Sequence, residues 1–311
     1  KFDEIEKLLF SLQNFQNFQN FQNSTIASNF TQSSYIEAVE KIQEFIRCGD
    51  TYQTNLTQQI RAELPENLTP EMIFYKLRKS HPAPFASFIR RKNDVVISAS
   101  PERFFKVEDQ LISVSPIKGT RPRGKNPTED LSLKNELINS EKDRAENVMI
   151  VDLLRNDIGR ICEYGSVKVE KLCDLEEHPT LFHLVSTISG KLRKELKFSD
   201  MLRATFPCGS ITGAPKIRTM QIIDEIETVS RGLSMGAVGI ANFEQENQKS
   251  KIKNQKYVDL SVAIRTMTVR GREAIFNVGG GIVIDSIPKN EYEETLTKAK
   301  ALLNAINGNL I

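Results

Sequence analysis

Lys118 stands in the decapeptide Ser115-Pro116-Ile117-Lys118-Gly119-Thr120-Arg121-Pro122-Arg123-Gly124, directly after an apolar alternating run at 107–114 that reads as a strand. Two prolines and two glycines predict a fixed, non-regular backbone. A loop at a strand end is a usual place for chemistry. Arg121 and Arg123 follow closely in sequence. Like charges that near, with any burial, disfavour a charged amine. A neutral amine is a nucleophile. Taken alone, the loop reads equally as a basic surface turn.

The second half of the chain adds oxygen ligands and anion partners. Asp143 and Glu146 are spaced i,i+3, as are Glu291 and Glu294, so each pair shares one helix face. Two helices aiming Glu146 and Glu294 at one point would suit Mg²⁺, which takes a few hard oxygens and keeps room for water and ligand. Either Glu alone reads as solvated helix surface. Gly279, Gly280 and Gly281 expose three backbone N–H groups, a candidate nest for a carboxylate or merely a tight turn. Arg265 lies in the otherwise apolar run Val262-Ala263-Ile264-Arg265-Thr266, where burial would demand a counter-charge, so it is a candidate bidentate carboxylate partner. Glu102 and Lys118 fall at the two ends of an expected hairpin, which can set a proton donor beside a nucleophile. Together these residues describe a Mg²⁺-dependent site for a small dianion, with a general acid and a nucleophilic amine.

The elements that must position them belong to an α+β chain, with antiparallel sheets packed together and covered outside by helices. Of its 311 residues, 39% are hydrophobic and 26% charged, as in soluble globular proteins. The net charge of +2 gives no argument for nucleic acid or an anionic membrane. No apolar run approaches a membrane span, and no signal-peptide pattern opens the chain. Four cysteines without a C-x-x-C pair, and three histidines, argue for reduced thiols in a cytoplasm and against zinc. Residues 1–12 could form a short helix, and the Asn-Phe-Gln repeat at 14–23 reads as a tether, giving a tail at 1–30 and one domain at 31–311. Helices are expected from Ser33 or Ser34 to Gly49, from Thr69, over 129–154 in one or two pieces, around 200–204, from Pro215 to about Thr228, and from Pro288. Strands are expected at 85–90, 95–99, 104–107, 167–169, 181–189, 236–243, 258–269, 274–278 and 282–284, with a polar loop at 244–256.

A set of motifs in order carries a resemblance. Ser100-Pro101-Glu102-Arg103-Phe104, Pro116-Ile117-Lys118-Gly119-Thr120-Arg121-Pro122-Arg123-Gly124, Asp143-Arg144-Ala145-Glu146-Asn147, Val151-Asp152-Leu153-Leu154-Arg155-Asn156-Asp157, Gly213-Ala214-Pro215-Lys216, Ile264-Arg265-Thr266 and Gly279-Gly280-Gly281-Ile282-Val283 resemble the chorismate-utilising enzymes over about residues 33–306. That family includes anthranilate, aminodeoxychorismate, isochorismate and salicylate synthases. The resemblance implies an anthranilate-synthase-like fold. It also implies a covalent adduct of Lys118 at C2 of chorismate, Glu102 as general acid, Glu146 and Glu294 as Mg²⁺ ligands, and Arg265 with Gly279, Gly280 and Gly281 on the enolpyruvyl carboxylate. Gly119, Thr120, His183 and Ser210 fall at substrate-side positions. Lys between Pro-Ile and Gly-Thr is similar to aminodeoxychorismate synthases, where anthranilate synthases usually carry Ala. Gln53 falls where isochorismate synthases carry an active lysine, against water as the nucleophile. Ammonia from a glutamine amidotransferase subunit is the implied amine donor. Such enzymes carry a long N-terminal region, in place of which this sequence has its short tail. The alternatives are anthranilate synthase component I and, of another class, a non-catalytic chorismate-binding subunit.

Overall fold

The computed structural model describes residues 24–179, 181–242 and 257–308. The helix expected at 1–12, the Asn-Phe-Gln repeat and the loop at 244–256 lie outside them. Two antiparallel seven-stranded sheets carry the described chain. The first contains β1 (Thr25–Ser28), β2 (Gln53–Glu63), β3 (Phe85–Arg90), β4 (Val95–Ser100), β10 (Gly213–Ala214), β13 (Thr266–Arg270) and β14 (Glu273–Ile282). Its order is β1-β2-β14-β13-β4-β3, and β10 also pairs with β2. The second contains β5 (Arg103–Glu108), β6 (Leu111–Val114), β7 (Ile117–Pro122), β8 (Lys168–Glu177), β9 (Leu181–Lys191), β11 (Ala237–Asn242) and β12 (Tyr257–Val262). Its order is β11-β12-β5-β6-β9-β7, with β8 on β9.

Helices cover both sheets, as expected for an α+β chain. α1 (Gln32–Arg47) is capped by Thr31, whose hydroxyl accepts from Ser34 N, two or three residues earlier than the sequence suggested. α2 (Pro70–Ser80) begins at the Thr69-Pro70 signal. The helical stretch after the central loop divides into α3 (Pro127–Ile138) and α4 (Glu141–Gly159), because Ser140 breaks it and caps α4 through Asp143 N. α5 (Phe198–Thr205), α6 (Lys216–Ile226) and α7 (Pro288–Ala305) follow. α2 and α7 pack on the first sheet through Met72, Ile73, Leu77, Ala299 and Leu302 against Ile60, Ile97, Met267 and Phe276. α4 and α5 pack on the second through Ile150, Leu154, Ile158 and Met201 against Phe105, Ile112, Ile188 and Val258. Val96, Val238 and Ala263 join the two sheets.

Several sequence expectations need correction. Residues 24–30 belong to the domain: β1 pairs with β2, Ser24 Oγ donates to Ile306 O at 2.6 Å, and Phe30 is buried. The run at 107–114 is a hairpin, β5 and β6, turned by Asp109 with φ +57. The long strand expected at 258–269 is two strands in different sheets. Among the described residues no helix is long and apolar enough to cross a membrane.

Candidate active site

The chain crosses from the first sheet to the second between β4 and β5, and returns between β12 and β13. The two crossings lie side by side. Val262 N donates to Glu102 O at 3.0 Å and Ala99 N to Arg265 O at 3.0 Å. Ser100 Oγ closes the pair on Val262 O at 2.6 Å. Glu102 sits on the first crossing and Arg265 on the second. Arg265 is therefore not a strand residue, as its apolar neighbours suggested. It holds a left-handed φ of +47, a conformation that costs a non-glycine residue.

A cavity of about 720 Å³ opens at these crossings. Glu102, Lys118, Gly119, Thr120, Glu146, Ser210, Arg265, Gly279, Gly281 and Glu294 all line it. His183 stands behind the wall, opposite Thr120 in the β7–β9 ladder, with its Nδ1 2.8 Å from Thr120 Oγ1. Burial, and then the neighbouring His178, push the imidazole down from its ordinary value, so His183 is neutral at pH 7.

Lys118 departs from the irregular loop expected of it. It lies in β7, where the register with β9 slips between Ile117 and Thr120, so Lys118 and Gly119 form a bulge. Gly119 takes φ +85, and a Cβ there would lie 2.9 Å from Leu137 Cδ1. The bulge turns the amine to the cavity, with Nζ 3.6 Å from Glu146 Oε2. The neighbouring cations are engaged elsewhere. Arg121 pairs with Glu136 at 2.7 Å and Asp143 at 3.2 Å, and Arg123 with Asp130 at 2.6 Å. The charge facing Lys118 is thus a carboxylate rather than a free guanidinium.

Glu102 is buried, and loss of water pushes its carboxyl above the ordinary range. The Ser210 hydroxyl and then the Lys118 charge pull it partly back. A buried carboxyl whose acid form is favoured, beside an amine, is suited to donate a proton. Arg265 opens on the cavity, and the surrounding protein draws its pKa down by removing water from the guanidinium. Among the described residues no carboxylate pairs with it. An unpaired, partly desolvated guanidinium facing a cavity calls for an anionic ligand.

The glycine run is not a nest. It continues β14, with Gly279 opposite Thr57, Gly280 opposite Leu56 and Gly281 opposite Asn55. Side chains are excluded there for space. A Cβ at Gly279 would fall 2.1 Å from Leu56 O, and one at Gly281 would fall 2.8 Å from Gln53 Nε2. A Cβ at Gly280 would meet Glu291 Oε2 at 3.3 Å and Glu294 Oε1 at 3.8 Å.

Asp143 and Glu146 of α4, and Glu291 and Glu294 of α7, reach the cavity from two helices, as their spacing suggested. Glu294 pairs with Lys298 at 2.6 Å, and Lys298 also donates to Gly279 O at 2.9 Å. Burial, and then the Glu294 charge, push Glu291 upward, against the Ser286 hydroxyl that bonds it at 2.7 Å. Among the described residues no three His, Cys, Asp or Glu side chains form a closed metal site. A few carboxylates from two helices, left partly open, still have the chemistry of a hard-cation site completed by water and ligand oxygens. Asn55, Lys142, Asn277 and Lys298 also line the cavity. The sequence reading missed them, although Lys298 carries a signal, four residues beyond Glu294 on the same helix face.

A family model described as chorismate binding enzyme matches residues 3–304. The chain belongs to the chorismate-binding enzymes. It is 42% identical over 279 residues to anthranilate synthase component 1 of Aquifex aeolicus, covering 90% of this chain and 54% of that one. It is 43% identical over 279 residues to aminodeoxychorismate synthase component 1 of Escherichia coli, covering 90% and 59%. The solved anthranilate synthase component I of Streptococcus pneumoniae superposes with a TM-score of 0.78 at 34% identity, covering 97% of this chain and 65% of that one. The chain thus spans between half and three-fifths of the length of these curated relatives. The two kinds of synthase are similar to it to the same degree, so identity does not choose between them.

Proposed function

We propose that this chain is the chorismate-converting component of an aminodeoxychorismate synthase. The observation that carries the reading is Lys118 itself, turned by the β7 bulge into the cavity that Glu102, Glu146 and Arg265 share. Lys118 as a neutral amine attacks C2 of chorismate. Both ring double bonds shift, C1=C2 to C1=C6 and C5=C6 to C4=C5, and the C4 hydroxyl leaves as water with the proton of Glu102. Ammonia then bonds to C4, both double bonds shift back, and the C2–N bond breaks to return Lys118 as a neutral amine. Glu102 recovers its proton from the new C4 ammonium. The balance is chorismate plus ammonia giving 4-amino-4-deoxychorismate plus water.

Arg265 holds the enolpyruvyl carboxylate as its missing counter-charge. Glu146 and Glu294 would hold Mg²⁺, which when bound supplies positive charge for the ring carboxylate. Thr120, fixed by His183, and Ser210 shape the wall beside the reacting carbons. Ammonia would come from a separate glutamine amidotransferase, since "component 1" in the relatives' names supports a partner subunit.

The test is a product assay with chorismate, Mg²⁺ and ammonium salt, with and without an aminodeoxychorismate lyase. p-Aminobenzoate formed only with the lyase is the expected result. Anthranilate formed instead overturns the reading in favour of the other synthase.

A further inference from the structure

Ser210 lines the cavity together with Glu102, and it belongs to a loop at 206–215 whose two ends meet on one amine. Lys216, the first residue of α6, donates from Nζ to the carbonyl of Thr205, the last residue of α5, at 2.9 Å. The same amine is ion-paired with Asp157 of α4. The pair is closed from water, with side-chain exposures of 13% for Lys216 and 5% for Asp157. The loop lies directly on α4, since a Cβ at Gly209 would stand 2.6 Å from Leu153 Cδ2. Beyond the tip, Gly213 and Ala214 pair with β2. At the tip, Ser210 Oγ lies 3.3 Å from Cys208 Sγ, and Ser210 lines the same cavity as Glu102, whose carboxyl its hydroxyl draws downward.

We infer that the Asp157–Lys216 ion pair positions the general acid: it closes the loop's two ends on α4 and so holds the Ser210 hydroxyl against Glu102. The inference rests on the reading of Glu102 as that acid. A buried ion pair is a poor source of net stability, because desolvation offsets the attraction. Its geometry is nonetheless demanding, and here it ties three segments at one point. The two resembling motifs that had no role, ending in Asp157 and in Lys216, meet in this contact.

The charged groups around both ends are few. Lys216 and Arg160 face Asp157, which burial pushes up to about 6. Lys118 and the Cys208 thiol face Glu102 beside Ser210. Ser210 holds the Glu102 carboxyl down, so a displaced hydroxyl lets it rise.

The experiment compares Asp157→Asn, Ser210→Ala and their double variant by the pH dependence of kcat with chorismate and ammonium. Asp157→Asn should lower kcat about ten- to a hundredfold, the cost of a misplaced catalytic group, with KM for chorismate within about threefold. The limb on which kcat falls with rising pH should move to higher pH, as in Ser210→Ala. The double variant should show no further shift, since both changes remove one contact. Asp157→Glu should restore part of the rate. A lowered Tm with unaltered kcat and pH limb would make the pair merely structural and overturn the inference, as would effects of the two changes that multiply in full. Should Asp157→Asn not fold, Asp157→Leu with Lys216→Met removes both charges, and a wild-type pH limb there also overturns it. Turnover retained by Glu102→Gln would instead refute the reading of Glu102, whatever Asp157 does.

Discussion

Replacing Arg265 with Gln should weaken chorismate binding without weakening the fold. The guanidinium faces the cavity, is drawn below its ordinary pKa by loss of water, and has no carboxylate partner among the described residues. Its interaction energy is therefore available to a ligand. Each hydrogen bond to a charged group is worth about 1.5–3 kcal/mol. A neutral amide keeps part of one such bond, so a net loss of about 3 kcal/mol is expected, or about a hundredfold in Kd. Arg265→Lys keeps the charge and loses the fork, so about tenfold is expected. Stability should move little, because Arg265 is exposed and makes no ion pair among the described residues. The backbone cost of φ +47 is unchanged, since Gln meets it as Arg does. Titration calorimetry with chorismate and Mg²⁺ but no ammonia reads binding, and thermal unfolding reads stability. Wild-type affinity, or a Tm lower by several degrees with affinity kept, would refute the argument and leave Arg265 a structural residue.

Four further outcomes follow from the same geometry. Lys118→Ala should abolish amine transfer while chorismate still binds, and full activity would remove the covalent route. Glu294→Gln should raise the Mg²⁺ concentration needed for half-maximal rate, and an unchanged Mg²⁺ titration would exclude that residue from the metal site. Glu102 has its folded-state pKa raised by burial, so its acid form persists to higher pH and kcat should fall as pH rises through that value. Glu102→Gln should lose about 10²–10⁴ in rate together with that limb, and a limb unchanged in the variant would belong to another group. Gly279→Ala, whose Cβ would lie 2.1 Å from the Leu56 carbonyl, should destabilise by about 1–3 kcal/mol in denaturant unfolding. Gly280→Ala, which meets only the ends of the Glu291, Lys298 and Glu294 side chains, should fold normally, and equal stability of the two variants would contradict the β2–β14 packing.

Local signals in the sequence identified elements better than they identified paths. Thr69-Pro70, the i,i+3 carboxylates and the β-prone runs at 85–90 and 95–99 act within one element, so local sequence alone conveys them. Lys118 was legible as a residue type but not as a bulge, because the slip in β7 exists only relative to β9. The glycine run was misread as a nest for a like reason. Its cause is the carbonyl of Leu56 on a strand more than two hundred residues earlier. The run at 258–269 looked continuous because hydrophobicity does not record which sheet a strand joins.

The same distinction explains where the site lies. A strand that changes sheets must leave its ladder for a few residues, and its backbone groups then need other partners. Here two such crossings supply partners for one another, Glu102 O to Val262 N and Arg265 O to Ala99 N. The mutual bonding fixes two short irregular segments as firmly as strands, while their side chains belong to neither sheet face. One carries an acid raised by burial and the other a cation without a counter-charge. Lys118 reaches the same space by a third irregularity, the bulge in β7, and the Asp157–Lys216 pair brings Ser210 there by a fourth. Regular structure thus builds the walls, and each group proposed to touch the reacting carbons stands where a ladder is interrupted and something else holds the backbone.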